Sequence, residues 1–249
     1  MKAIRKFLNW GQPRLYWRDI LNYYGDLQLP RKAGIFEYTP GSEKSVLVLS
    51  PHIDDEVIGL GGTLYFFHRL KIPVTVIYFS TGNARRRSEG EKIAACLGYQ
   101  KALFYDFPED SLSRSGKIPE LLSSCLRECA FDAIYAPFFL DRHKDHIAVA
   151  RHLSSALKMN PEYRAEIRCY EVWAPLFPNR FVDISAVVDY KREAIEICQS
   201  QMESLNYVDL ALSMNRYRGI TSSRERQMRY AEAFYCCAPL YFRKLLKSG

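Results

Sequence analysis

From residue 46 onward the chain alternates short apolar runs with amphipathic stretches. Val46–Leu49 is an unbroken aliphatic run that stops at Ser50-Pro51, the pattern of a central strand ending in a turn. Over about 56–70, Val57, Leu60, Leu64 and Phe67 recur at helical spacing, and Gly59, Gly61 and Gly62 near the start let such a helix lie close to a sheet. The alternation continues with strands at 74–79, 102–105 and 133–136 and with helices at 88–97, 118–129 and up to about 157. Strand, polar loop and helix thus recur four times, which predicts an α/β, Rossmann-like, mostly parallel sheet with helices on both faces. Each polar loop follows a strand, so all four open on one edge of the sheet, where α/β folds bind ligands.

After 158 the pattern loosens into strand-like stretches at 167–172 and 180–184 and a helix from about 188. Before 46, residues 1–24 read as helical stretches interrupted at Gly11 and Pro13, and 25–45 as a linking segment. The expected organisation is a single α/β domain over 1–249. It comprises an N-terminal helical and linking extension (1–45), a core (46–201) and a basic C-terminal extension (202–249).

Composition narrows the class. At 48% hydrophobic and 25% charged residues the chain has enough apolar material for a core, and no apolar run approaches the roughly 18 residues of a membrane span. The start Met1–Trp10 is positive but lacks the apolar middle of a signal peptide, which gives the expectation of a protein that is not exported. Seven scattered cysteines without C-x-x-C pairs argue against a disulfide framework and a thiolate zinc site, and Cys96, Cys125, Cys129 and Cys198, in helical patterns, read as small buried hydrophobes in a reducing cytoplasm. The net charge of +7 is uneven: 1–45 carries +4, 214–249 carries +6, and 46–213 carries −3. The basic, aromatic termini suit either a solubilising surface or peripheral contact with anionic membrane, phosphate or nucleic acid.

The candidate chemistry lies where the first strand stops. His52, Asp54, Asp55 and Glu56 crowd the end of a core strand, and unpaired buried carboxylates are costly, so a metal ion is the simplest compensation. His52 and Asp55 are three apart and share a face if the chain turns helically after Pro51. His146 opens the helix after strand four and faces the same sheet edge. Two imidazoles and one carboxylate leave a position open, as catalytic zinc sites do. Asp54 is placed as general base, His143 as acid or oxyanion-stabilising group, and Asp145 as the carboxylate that fixes the tautomer of His143. Glu56 reads as an acid complementing the helix dipole.

These residues resemble a known family. Ser50-Pro51-His52-Ile53-Asp54-Asp55-Glu56 with Gly61-Gly62-Thr63, and His143-Lys144-Asp145-His146 downstream, look like the PIG-L/LmbE-like zinc-dependent N-deacetylases. Arg86-Arg87-Ser88-Glu89, Pro108-Glu109-Asp110, Val182-Asp183-Ile184 and Ser200-Gln201 follow in the family's order, so the likeness runs over about 46–201. The resemblance implies His52, Asp55 and His146 as ligands of Zn2+ or another divalent transition metal, Asp54 as base and His143 as acid or oxyanion partner. It further implies Arg86 and Asp110 as substrate-binding residues. The implied reaction removes an N-acetyl group from an N-acetylglucosamine-type sugar in a glycoconjugate or glycosylated small molecule. Alternatives are a zinc amidase on a non-sugar amide and a catalytically idle sugar-binding member.

Two departures stand out: Ile53 and Lys144 replace the proline inside each motif, and Asp141 stands where some members have a tyrosine. The expected partner is an N-acetylated sugar, phosphorylated or lipid-linked, with no nucleic acid. The expected location is cytoplasmic, with peripheral contact at the inner membrane surface.

Overall fold

The alternating pattern builds one mixed sheet. The structure, a computed structural model, describes residues 36–203, 205–222 and 228–246. The helical stretches expected over 1–24 lie outside the described residues, as does the first part of the linking segment. The strands are β1 (Phe36–Glu37), β2 (Val46–Ser50), β3 (Val74–Tyr78), β4 (Lys101–Phe104), β5 (Ala133–Pro137), β6 (Glu166–Tyr170), β7 (Arg180–Asp183) and β8 (Ala231–Cys237). They lie in the order β1-β7-β8-β6-β5-β2-β3-β4. Every pairing is parallel except those of β8 with β6 and with β7.

Helices connect these strands: α1 (Asp55–Arg69), α2 (Ala84–Cys96), α3 (Lys117–Glu128), α4 (Lys144–Met159), α5 (Val188–Glu196), α6 (Gln199–Met202), α7 (Tyr207–Thr221) and α8 (Pro239–Leu245). Side chains on β2 alternate between two cores. Leu47 and Leu49 pack with residues of α3, α4 and α8, whereas Val46 and Val48 pack with residues of α1, α5 and α7. A strand buried on both faces has no polar alternation to show, which is why Val46–Leu49 reads as a continuous apolar run. The β-strand and helix assignments from periodicity hold to within a few residues up to α5.

The C-terminal stretch does more than pack on the body. Its strand β8 inserts between β7 and β6, antiparallel to both. The stretch Ala231-Glu232-Ala233-Phe234-Tyr235-Cys236-Cys237 carries a charge near its start, which hides it from a hydrophobic-run reading.

Topology places the site. The chain moves outward from β2 to β3 to β4, then returns to lay β5 against the other side of β2. The crevice at such a reversal is where open α/β sheets bind ligands. The loops leaving β2 and β5 carry Pro51–Asp54 and Phe138–His143, so the two histidine–acid clusters meet there.

Among the described residues no helix is long and apolar enough to cross a membrane. All seven cysteines are free.

Candidate metal centre and active-site cleft

The loop after β2 is a tight turn into α1. The Ser50 hydroxyl lies 2.7 Å from the His52 carbonyl and 2.9 Å from Glu56 Oε2, sharing its one proton between them, and the Tyr78 hydroxyl donates to Glu56 Oε1. Glu56 is fully buried and its carboxyl is pushed up to about 7, chiefly by that burial. It lies in the first turn of α1, where an acid complements the helix dipole, and it is also the internal strut that ties strand end to turn. Asp54 caps α1 with a backbone φ of 127°, a left-handed conformation that costs a non-glycine residue free energy.

Asp55 stands between two imidazoles. Its Oδ2 accepts the His52 backbone N–H at 2.9 Å and lies 3.1 Å from His52 Nδ1, while Oδ1 lies 3.2 Å from His146 Nε2. Each histidine turns its other nitrogen to an outer acid. His52 Nε2 is 3.3 Å from Asp145 Oδ2, and His146 Nδ1 is 3.6 Å from Asp141 Oδ2. Those acids are themselves held. Asp145 accepts the backbone N–H groups of Asp110 at 2.6 Å and Leu112 at 3.2 Å, and Asp141 accepts those of His143 at 2.9 Å and Trp173 at 3.1 Å. Imidazoles whose far nitrogens face fixed carboxylates are the arrangement by which proteins orient and strengthen metal-ligating histidines.

The decisive observation concerns His146. It is fully buried, yet neither ring nitrogen has a hydrogen-bond partner, although carboxylate oxygens lie within 3.6 Å of both. Close approach without hydrogen-bond alignment means that His146 Nε2 and Asp55 are aimed past each other. Buried polar groups left unpaired are costly, and a cation shared by Asp55, His52 and His146 removes the cost. The donor set, two imidazoles and a carboxylate, suits zinc and related divalent ions. His143 also enters the group, its nitrogen falling within 4.8 Å of those of His52 and His146.

Electrostatics agree with a site built for a cation. Burial alone would push the Asp55 carboxyl up, but His146 and His52 outweigh it and hold it below the usual carboxylate range. Burial pushes both histidines down, yet Asp145 and Asp55 raise His52 to about 10, and Asp55 with Asp141 raises His146 to about 9. The neighbouring Asp54 carboxyl, buried and beside the Asp55 charge, is driven well above its usual range.

His143 caps α4 and accepts the Asp145 backbone N–H at Nδ1, 3.2 Å away. The pairing of His143 with Asp145 therefore runs through the backbone. The Asp145 carboxylate, expected to fix the tautomer of His143, instead faces His52, because α4 turns it toward the Asp110 and Leu112 amides. Burial and the adjacent His146 and His52 lower the His143 pKa.

Asp54, Asp55, His52 and His143 line a cleft of about 200 Å³ whose rim includes Arg86, Asp110, Trp173, Gln201 and Tyr207. Arg86 donates to Gln201 Oε1 at 2.7 Å and pairs with Glu109. Asp110 sits at the mouth with φ 62°, its carboxylate 3.3 Å from Lys144 Nζ and 3.9 Å from His143 Nε2. Both replacements of proline have jobs: Ile53 is buried against the α2 side of the core, and Lys144 forms that rim ion pair. A larger apolar groove of about 1110 Å³, between Pro175–Pro178 and α7, contains none of the candidate catalytic residues.

All eight residues singled out from the sequence thus gather at this cleft or directly behind it. Asp141, noted in the sequence only as standing where some family members have a tyrosine, holds the His143 and Trp173 amides and faces His146, and sequence reasoning missed Trp173 and Tyr207, which no motif marks.

Comparison with known proteins fits the motif reading. Residues 47–157 match the family model PIG-L: GlcNAc-PI de-N-acetylase. This segment is similar to the PIG-L family. It contains every candidate metal ligand and both histidine–acid motifs. Among solved structures, the conserved protein TT1542 from Thermus thermophilus is 26% identical, with a TM-score of 0.68 over 76% of this chain and 92% of that one. The N,N'-diacetylchitobiose deacetylase from Pyrococcus horikoshii is 20% identical, with a TM-score of 0.69 over 94% of this chain and 96% of that one. GalB, the 4-carboxy-2-hydroxymuconate hydratase from Pseudomonas putida, is 21% identical, with a TM-score of 0.63 over 78% and 95%. The segment that matches PIG-L therefore sits in a fold shared by a deacetylase and a hydratase, and the site must decide the reaction.

Proposed function

We propose that the protein is a metal-dependent hydrolase that removes an N-acetyl group from an N-acetylglucosamine-type sugar in a glycoconjugate or glycosylated small molecule. The observation that carries this reading is the Asp55 carboxylate set between His52 Nδ1 and His146 Nε2, with Asp54 beside it in the cleft. His52, Asp55 and His146 would hold a divalent ion, most simply zinc, which when bound supplies Lewis acidity for water and for an amide carbonyl.

The chain's own groups do the proton work. Asp54, in the cleft beside Asp55 and His52, accepts the proton of the water that attacks the acetyl carbonyl. A carboxyl with a raised pKa can also return that proton to the departing amine. His143 takes the Asp145 N–H at Nδ1, so its neutral tautomer carries the proton on Nε2, on the side facing Asp110. Its lowered pKa keeps it neutral, which favours hydrogen bonding to the developing oxyanion over acid catalysis. Asp145 and Asp141 orient the two histidines and do not themselves transfer protons. Arg86 and Asp110 at the rim bind sugar hydroxyls, and the edge-on pair Trp173–Tyr207, with ring centroids 5.9 Å apart, walls the cleft.

The basic termini extend the proposal to phosphorylated or lipid-linked sugars reached at an anionic membrane surface. An acetate-release screen of the zinc-loaded protein across free N-acetyl sugars, nucleotide sugars, lipid-linked glycans and N-acetylated non-sugar amines tests the reading. Acetate from at least one amino sugar is expected. Release only from non-sugar amides, or from none of these substrates, contradicts it.

A further inference from the structure

The helix that begins at the metal-binding turn is not continuous. Within α1, Leu60 has φ −143° and ψ 24°, so the backbone leaves helical geometry just over one turn after Asp55 and re-enters it at Gly61 and Gly62. The second half-helix thus begins inside the protein, and buried helix starts need acceptors for their N–H groups.

One side chain provides them. Glu232 on β8 accepts the Gly62 N–H on Oε1 and the Thr63 N–H on Oε2, each at 2.8 Å, and the Thr63 hydroxyl on Oε2 at 2.6 Å. Lys191 on α5 donates Nζ to Oε1 at 2.7 Å. Glu232 and Lys191 are both fully buried. Burial drives the Lys191 pKa down, and Glu232 works against that drop. A carboxylate at a helix N-terminus with its charge matched by a buried ammonium is a strong, directional anchor.

The same break lets the two half-helices press onto the sheet. A Cβ on Gly59 would come within 2.3 Å of the Tyr170 ring, and one on Gly62 within 2.6 Å of Ile184. Tyr170 in turn donates its hydroxyl to the Leu49 carbonyl at 2.8 Å, on the strand that ends just before His52. The first half-helix, which carries Asp55 and starts at the strained Asp54, is therefore short and bounded. Strand β2 and the Ser50–Glu56 strut fix one end, and the Glu232 anchor fixes the other.

We propose that Glu232, with Lys191, is a positioning residue for the active site. Its carboxylate sets the break in α1 and thereby the direction in which the Asp54–Asp55 turn faces the cleft. The inference deepens the deacetylase reading and rests on it for the meaning of that turn. Glu232 lies outside the PIG-L-matching segment, so a residue from the last strand would govern geometry in the first motif.

The test uses the full chain. Glu232→Ala leaves Lys191 as an unpaired buried charge and risks misfolding, so the deciding variant is Glu232→Gln with Lys191→Met, which removes both charges while keeping volume and one acceptor. Metal-free wild type and double variant are compared by hydrogen exchange resolved along 46–63. Exchange at 54–59 should accelerate by roughly tenfold or more, while β2 and α4 keep their protection, as expected of a local rather than global opening. Zinc affinity should fall, and kcat should fall more than KM rises. A folded double variant with unchanged exchange at 54–59 overturns the inference whatever its activity. The exchange comparison needs no metal and no substrate. A wild type that binds no zinc would therefore sink the deacetylase reading while the positioning of the turn is still decided.

Discussion

Two buried carboxylates, Asp55 and Glu232, bound the same half-helix and differ in how they are satisfied. Glu232 is saturated: two backbone N–H groups, one hydroxyl and one ammonium occupy its oxygens. Asp55 has the His52 amide on one oxygen, but its approach to His146 is not aligned as a hydrogen bond, and both nitrogens of that fully buried imidazole face carboxylates without a hydrogen bond. Closed networks of the first kind hold shape. A buried constellation with unspent ligand atoms, opening on a cleft, is built for something that is added to it. The contrast separates structural from chemical acids without reference to any relative.

Replacing Asp55 tests that distinction with the largest expected effect. Asp55→Ala should abolish zinc uptake at micromolar metal, read by metal analysis after gel filtration, while the chain stays folded because Asp55 closes no network like that of Glu232. A variant that still binds one equivalent would show the cation is held elsewhere. Next in size is the outer acid. Asp141→Asn removes the charge facing His146 Nδ1, and zinc affinity should weaken by roughly 10–100-fold with the fold intact. Unchanged affinity would leave Asp141 as only the acceptor for the His143 and Trp173 amides.

A smaller effect follows from the raised histidines. Their folded pKa values, about 10 for His52 and about 9 for His146, lie above the ordinary value of 6.5, so the metal-free fold binds protons more tightly than the unfolded chain. Their stabilisation is fully present below pH of about 6.5 and is lost as pH rises through about 9 to 10. The melting temperature of metal-free protein should therefore drop by a few degrees across that range. The additional stabilisation from zinc should rise over the same range, because fewer protons compete for the ligands. Parallel curves for the two forms would contradict a shared site.

Much of this was legible in the sequence because both histidine–acid motifs are contiguous and each follows an apolar run that fits only a doubly buried strand. That His52, Asp55 and His146 come together follows from spacing, strand order and the switch between β2 and β5. What stayed hidden depends on long-range packing. For Glu56 the helix dipole accounts for an acid in the first turn, but its ties to Ser50 and to Tyr78 on the next strand have no sequence signal. The carboxylate of Asp145 was assigned to His143, its neighbour in sequence, whereas the turn of α4 points it at His52. Trp173, Tyr207 and Glu232 come from the C-terminal region, where no motif marks a position and where β8 hides a charge inside a strand.

The most direct test of the central claim compares acetate release by zinc-loaded wild type with that of Asp54→Asn at matched zinc content. Equal metal occupancy and a fall in kcat of about 10²–10⁴-fold, the range for loss of a positioned proton-transfer group, are expected. Wild-type turnover by Asp54→Asn with zinc fully bound would contradict it.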